Sequence, residues 1–401
     1  MTDPTRPPPS TGRTYLTVVG DPNDPAVWSS TPYHVLAEGR WQGVFEAGLP
    51  LQPASRAFAA RRVAWNLVRV ARGRRPGGFQ FSPWFLERLW SAERDRVRGG
   101  RVVNHFQLYP PSVVADRSVE RWYYLDATVR LLMDHYGDDL EPRWAADVLR
   151  RERDGYQSAA GVMTMSRFAA DSVVRDYGVD PARVHVVVPG ANLTAEVVDA
   201  FDREAVGWRD PATGRPADRS PGDPPRLVFV GRAVVRKGLD RLLRALRIAR
   251  GRGGRATLRV IGLSAADVTA DLRDVPGVEW VGLVSRRTDT MRFCRLVAEC
   301  DVGCLLSRQE MAGISLLEFI AFGLAVIGPR TGGSPDLMSP ASSVMVAPEA
   351  TDEELAAVLQ TLDSDRPAWA ARRAAAWAAR RDVLWGPAVR RMGELFAAAA
   401  G

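Results

Sequence analysis

Short apolar runs alternate with helical stretches along this chain, and after a polar interruption the same alternation begins again. In the first half the runs fall at residues 15–19, 102–106, 122–125, 161–165 and 184–188, with a helix expected over 33–45. They are apolar throughout rather than at every second position, the pattern of parallel strands covered on both faces. Between residues 201 and 225 the chain turns to Asp, Arg, Pro and Gly, with too few apolar side chains to pack, and reads as a linker. Apolar runs then return at 226–230, 257–261, 278–281, 301–306 and 324–327, and Leu239, Leu242, Leu243 and Leu246 follow helical spacing. A length of 401 residues suits two such units better than one core. The expected fold is therefore α/β, two Rossmann-like doubly wound domains facing an interdomain cleft. The expected order is a disordered tail over 1–12, a first domain over 13–202 and a linker over 203–225. A second domain over 226–382 and a helix over 383–401, packing back toward the first domain, complete it.

Composition narrows the function classes. No run of eighteen apolar residues appears, and the first residues carry Pro and Asp where a secretory leader needs an apolar stretch, so a cytoplasmic protein is expected. Cys294, Cys300 and Cys304 lie in one short segment without a CxxC pair, which suits buried thiols. The formal charge is +7, yet of 54 basic residues only Lys237 is a lysine, so the arginine bias carries little functional information and the lysine carries more. Basic charge spread along the chain, with no recognised binding module, argues against nucleic acid as a partner. A nicotinamide-dependent oxidoreductase would need GxGxxG after the first strand, where this chain has VVGDPNDPAVWSS. Residues 56–75 interleave arginine with Phe58, Val63, Trp65 and Leu67. Such a helix could rest peripherally on the anionic inner face of a membrane, or turn its apolar side to the core.

Ligands of open parallel sheets bind beyond the carboxyl ends of strands, so motifs just after strands carry the chemistry. Gly231, Arg232, Lys237 and Gly238 follow one strand and open a helix, placing two cations beside the positive end of a helix dipole, an arrangement that suits a diphosphate. Glu310 and Glu318 follow another strand. Eight residues along a helix separate them by about 12 Å, too far for the paired carboxylates of a glycosidase. Two carboxylates so stepped suit two hydroxyl-bearing parts of one extended ligand, while the amides of Gly313, Ile314 and Ser315 at the helix start can meet phosphate. Thr331, Gly332 and Gly333 form a further glycine-rich turn after a strand. His105 closes the run at 102–106 and is a candidate for contact with substrate. The sole Asp-x-Asp, Asp363 and Asp365, is a weak metal candidate near a helix boundary.

Taken together, residues 231–238, the Glu310-x7-Glu318 element and residues 331–333 resemble glycosyltransferase family 4, retaining enzymes of GT-B architecture. WSSTPY (28–33), YLDAT (124–128) and the stretch 165–193 resemble first-domain elements of that family, so the likeness spans most of the chain. The resemblance implies an acceptor-side domain over 13–202 and a nucleotide-sugar-binding domain over 226–382. It implies that Arg232 and Lys237 hold the diphosphate of a UDP- or GDP-linked donor, that Glu318 binds the ribose, and that Glu310 faces the donor sugar. Gly231, Gly313, Ile314 and Ser315 would contact the donor, as would Ser29 and Ser30 in the loop 28–31. His105 or Asp126 would orient the hydroxyl acceptor, which could be a natural product, a polysaccharide or a lipid-linked glycan. No cofactor and no metal are expected, because the cations and a helix N-terminus can stabilise the leaving diphosphate. Met311 and Ala312 replace the Pro and bulky aromatic frequent in the family, which leaves the donor sugar open. Asp126 stands where many members carry histidine, which leaves the acceptor chemistry open. A GT-B enzyme that couples or epimerises without making a glycosidic bond is the alternative.

Overall fold

Each apolar run becomes a strand, buried on both faces at the centres of the sheets and partly exposed at 184–186 and 278–282. The computed structural model describes residues 13–52, 56–137, 140–210, 213–216, 219–220 and 222–400; the expected tail over 1–12 lies outside them. Contacts divide the chain into two compact units, Met1–Val188 with Ala388–Gly401, and Pro189–Pro387.

The first unit holds β1 (Thr14–Val19), β2 (Ala47–Leu51), β3 (Arg101–Asn104), β4 (Glu120–Leu125), β5 (Gly161–Thr164) and β6 (Val184–Val186), all parallel, in the order β2-β1-β3-β4-β5-β6. Val102, Val103, Tyr123, Tyr124, Val162 and Met163 are fully buried, as strands sandwiched between helices require. The order in which successive strands are added reverses between β1 and β3, so their carboxyl ends flank a crevice. Sequence reading passed over β2 because Gly48 and Pro50 are poor strand formers. It survives as an edge strand, with Pro50 exposed and paired in register with Val18.

The second unit holds β7 (Arg226–Val230), β8 (Thr257–Ile261), β9 (Val278–Gly282), β10 (Val302–Cys304), β11 (Ala325–Pro329) and β12 (Ser343–Val346), again all parallel, in the order β12-β11-β10-β7-β8-β9. The order is that of a Rossmann fold, with its switch point between β7 and β10. The helix Leu239–Gly251 buries Leu239, Leu242, Leu243 and Leu246, each worth about 1.5–3 kcal/mol of removed apolar surface. Cys294, Cys300 and Cys304 are free and buried. Burial pushes the first two thiols up to about 12, so all three behave as apolar filling.

Two expectations, the boundary and the linker, differ from the contacts. The boundary between units falls at Val188/Pro189 rather than 202/203, because the helix Ala195–Glu204 buries Phe201 against Trp208 and Phe322, ring centroids 5.7 and 5.5 Å away. The described part of 203–225 is not a free linker. Arg209 is buried in the second unit, its guanidinium donating to the Gly214 carbonyl at 2.7 Å and to the Phe322 carbonyl, and burial pushes it down to about 9. An arginine thus fills a role that the sequence reading reserved for apolar residues. The terminal helix runs Trp385–Ala400, and from Ala388 onward it belongs to the first unit. There Phe396 meets Trp122 edge-on at 5.1 Å beneath the Arg101 guanidinium at 4.7 Å.

The helix Arg56–Ala71 sets Phe58 in the core and packs Trp65 against it. Phe58 and Arg69 are its only buried residues, while Val63, Leu67 and Val70 stand exposed. No helix among the described residues is long and apolar enough to cross a membrane.

Candidate functional site

At the β7/β10 switch point of the second unit two loops meet. The Gly231 amide, directly after β7, donates to the Ile261 carbonyl at 3.0 Å, and the chain then turns through Arg232 and Lys237 into the helix Leu239–Gly251. Gly238 makes that turn at φ 74°, and a Cβ there would stand 2.0 Å from the Leu306 carbonyl oxygen, so the second loop can approach only because the residue is glycine. Arg308 fastens the two loops. Its guanidinium makes two 2.8 Å bonds to the Asp240 carboxylate, and its amide donates to the Arg236 carbonyl at 2.9 Å. Burial opposes the charge of Asp240, but Arg308 and Arg244 outweigh it and hold the carboxyl below its usual range.

Into this junction the sequence brings Lys237 and Glu310. The Lys237 ammonium donates to Glu310 Oε2, which also accepts from Ser307 Oγ at 3.0 Å, and Glu310 is only 7% exposed. Arg232 is exposed and has no carboxylate partner among the described residues. Gly313, at φ 77°, starts the helix Ile314–Ala321 with no side-chain cap, so the amides around Ile314 and Ser315 face outward from a bare helix terminus. The turn at 331–333 belongs to the same junction. Gly332, at φ 54°, would place a Cβ 1.7 Å from the Glu310 carbonyl oxygen, and the Gly333 amide donates to Met311 O at 3.1 Å.

Glu318 lies inside that helix, 2% exposed, and both its oxygens are taken by the Arg286 guanidinium, which also stacks over Phe293 at 4.2 Å. The two glutamates therefore answer to two different cations. Sequence reading missed Arg286, Ser307 and Arg308. Among so many arginines neither Arg286 nor Arg308 stood out, although each occupies a loop just after a strand. The Asp-x-Asp is structural: Asp363 receives Arg255 and Arg366, and Asp365 caps the helix Arg366–Ala379.

The first unit has its own cluster at the carboxyl ends of β1, β3 and β4. Trp28, Ser29 and Ser30, at φ 47°, 56° and 69°, are the only non-glycine residues in the left-handed region among those described. Each is strained by about 1–2 kcal/mol. The turn is held by the Trp28 indole, which donates to Val19 O at 3.0 Å and lies edge-on to His105 at 6.1 Å and Phe106 at 6.2 Å. His105 follows β3 and Asp126 follows the neighbouring β4. The His105 Nδ1–H donates to the Tyr124 carbonyl at 2.8 Å, which leaves Nε2 as a lone pair. Burial pushes the imidazole down to about 4, against a smaller upward pull from that hydrogen bond, so the ring is neutral at pH 7.

Comparison with known proteins agrees with this geometry. Residues 224–365 match the family model of glycosyl transferases, group 1. The D-inositol 3-phosphate glycosyltransferase of Rhodococcus opacus is 29% identical over 49% of this chain and 44% of its own. The chain spans about half the length of the curated relatives it matches. Among solved structures, the sucrose-phosphate synthase of Thermosynechococcus elongatus superposes with a TM-score of 0.64 at 16% identity over 97% of this chain and 100% of its own. HepE of Anabaena, crystallised with UDP and glucose, gives 0.60 at 14% identity over 96% and 100%. The likeness to the glycosyl transferases of group 1 is carried by residues 224–365, and the solved structures share the fold of two Rossmann-like units.

Proposed function

We propose that this protein is a retaining glycosyltransferase that moves a sugar from a UDP- or GDP-linked donor to an acceptor hydroxyl and needs no metal ion. The observation that carries this reading is the junction of β7 and β10, where Lys237 meets Glu310 on two loops that also carry Arg232 and open two helix N-termini. In the reaction the bond from the anomeric carbon to the diphosphate oxygen breaks, and the acceptor oxygen forms a new bond on the same face. The acceptor proton passes to the departing phosphate. Negative charge grows on the diphosphate, and fixed cations placed there lower the barrier without reorganisation. Arg232 and Lys237 fill that role. Gly231 and the amides at Gly313, Ile314 and Ser315 hold phosphate and sugar, Glu310 grips the sugar hydroxyls, and Glu318 binds the ribose in the orientation that Arg286 sets.

In the first unit, Ser29 and Ser30 are assigned to donor contact, and His105 with Asp126 to the acceptor hydroxyl. The neutral His105 can accept that proton's hydrogen bond through Nε2. The UDP and glucose held by the Anabaena protein, which shares this fold, support a nucleotide-sugar partner. Peripheral contact with the anionic cytoplasmic face of a membrane through residues 56–75 completes the proposal.

Thermal-shift titration of UDP, GDP and their sugars, with and without EDTA, tests it. One nucleotide should stabilise the protein equally in both conditions. Lys237→Ala should weaken that nucleotide at least tenfold and cut turnover about a hundredfold, in the range lost with a single transition-state donor. No response to any nucleoside diphosphate, or a Lys237→Ala variant that binds and turns over like the parent, would overturn the reading.

A further inference from the structure

Arg308 joins the two halves of the candidate site in the second unit, although no ligand contact is assigned to it. It lies on the loop after β10, one residue beyond Ser307 and two before Glu310, and its bonds run to the opposite loop, after β7. The guanidinium donates to the Val235 carbonyl at 2.6 Å and to both Asp240 oxygens at 2.8 Å, and the Arg308 amide donates to the Arg236 carbonyl at 2.9 Å. These partners bracket Lys237, from two residues before it to three after. On its own loop, Ser307 Oγ donates at 3.0 Å to the same Glu310 oxygen that accepts from Lys237. Arg308 therefore ties the backbone that carries the cation to the backbone that carries the carboxylate.

The chemistry suits fixing rather than binding. Asp240 is 9% exposed and sits in the first turn of the helix Leu239–Gly251, where the dipole favours an anion. It accepts the guanidinium bidentately, which sets direction as well as distance, and a lysine in the same place would set neither. With its charge matched there, Arg308 is not a third free cation for phosphate. Lys237 is the opposite case, a point charge on a flexible four-carbon stem, and such a charge is preorganised only as far as its surroundings are held.

We propose that Arg308 is a positioning residue for the donor's diphosphate: it clamps the two loops so that Lys237 is presented from one place, and it acts through Lys237 rather than by touching phosphate. The inference rests on the sugar-transfer reading above and adds to it the residue that sets its cation. Misplacing a group by about 1 Å can cost about a hundredfold in rate, so the clamp belongs to turnover more than to binding.

Lys237 is the single lysine of the chain, so protein grown on 13C,15N-lysine gives one lysine amide resonance and one lysine ε-CH2 resonance. Arg308→Ala should shift the amide signal and broaden or split the ε-CH2 signal. Arg244→Ala removes the other cation from Asp240, bound at 2.8 Å, and leaves the bond between the loops intact, so it should move neither signal. Unmoved signals in Arg308→Ala, or equal changes in Arg244→Ala, would overturn the proposal whether or not the protein transfers sugar. In slow transfer to water from UDP-glucose or GDP-mannose, Arg308→Ala should lower kcat at least tenfold and change the donor KM less than threefold. Asp240→Asn should reproduce most of that fall, which keeps the comparison open should Arg308→Ala fail to fold, and Arg308→Lys should recover less than half of it. In a Lys237→Ala background, Arg308→Ala should change kcat less than twofold, because its effect passes through the ammonium. Losses that multiply in the double variant would mean that Arg308 acts on the diphosphate independently, and would overturn the proposal. A parent that binds neither UDP nor GDP sinks sugar transfer, whereas a parent that binds and turns over while Arg308→Ala behaves like it sinks the positioning role alone.

Discussion

Lys237 is already engaged before any ligand arrives, because Glu310 lies within its reach and neutralises it. A buried carboxylate beside the cation proposed to hold a diphosphate sets a competition: that anion would have to share the ammonium or displace the glutamate. Glu310→Gln keeps the shape and removes the competing charge. It should therefore bind the free nucleoside diphosphate severalfold more tightly while turnover falls at least tenfold. Calorimetry and rate measurements on one preparation check both halves, and weaker diphosphate binding would show that Glu310 assists the cation rather than restraining it. At this scale the sequence was informative where chemistry is scarce. A single lysine among the basic residues marked its own position, and the two glutamates after a strand marked theirs. Arg286 was illegible for the opposite reason: nothing in the sequence separates it from its many neighbours of the same kind, and only the fold lays it bidentate on Glu318.

Among the elements, strands with continuous apolar runs were legible, the edges β6 and β9 included, whereas the edges β2 and β12 were not. β2 and β12 are short edges where one neighbour suffices, so the constraint on composition is weak. The loops that end at helix starts show why particular glycines stand where they do. Gly238 looked like the close of a phosphate-binding motif, and the structure adds that the loop after β10 passes so near it that no side chain fits. Gly238→Ala should cost about 3 kcal/mol, through left-handed strain and displacement of the Leu306 backbone, and lower the melting temperature by roughly 5–10 °C. Differential scanning calorimetry would detect that loss, and an unchanged melting temperature would mean that the two loops separate freely. The helix Arg56–Ala71 marks the limit of periodicity arguments. Its pattern allowed a core face or a lipid face; Phe58 and Trp65 meet the core, while Val63, Leu67 and Val70 stay exposed.

Taken as a whole, the first unit stores a pH response away from either candidate site. Glu152 is fully buried and accepts from Val129 N at 2.9 Å, from Tyr156 OH at 2.6 Å and from Tyr177 OH. Burial pushes its carboxyl up to about 7, against smaller downward pulls from those donors. A carboxyl raised in the folded state holds a proton that the unfolded chain has already lost. Its stabilising contribution is therefore complete below an unfolded value of about 4.5 and is lost as pH rises through 7, about 3 kcal/mol in all. Urea unfolding at pH 5 and pH 7.5 should show this fall in the parent and a flatter profile in Glu152→Gln; parallel profiles would remove Glu152 as the cause. The sequence by itself determined two parallel α/β units, because burial on both faces of a strand and breaks at loops are local demands on composition. Tertiary structure alone decided that the units divide at Val188, that Arg209 packs where a linker was expected, and which cation each glutamate meets. Those outcomes depend on charges brought together from distant parts of the chain, and no window of sequence contains both members of such a pair.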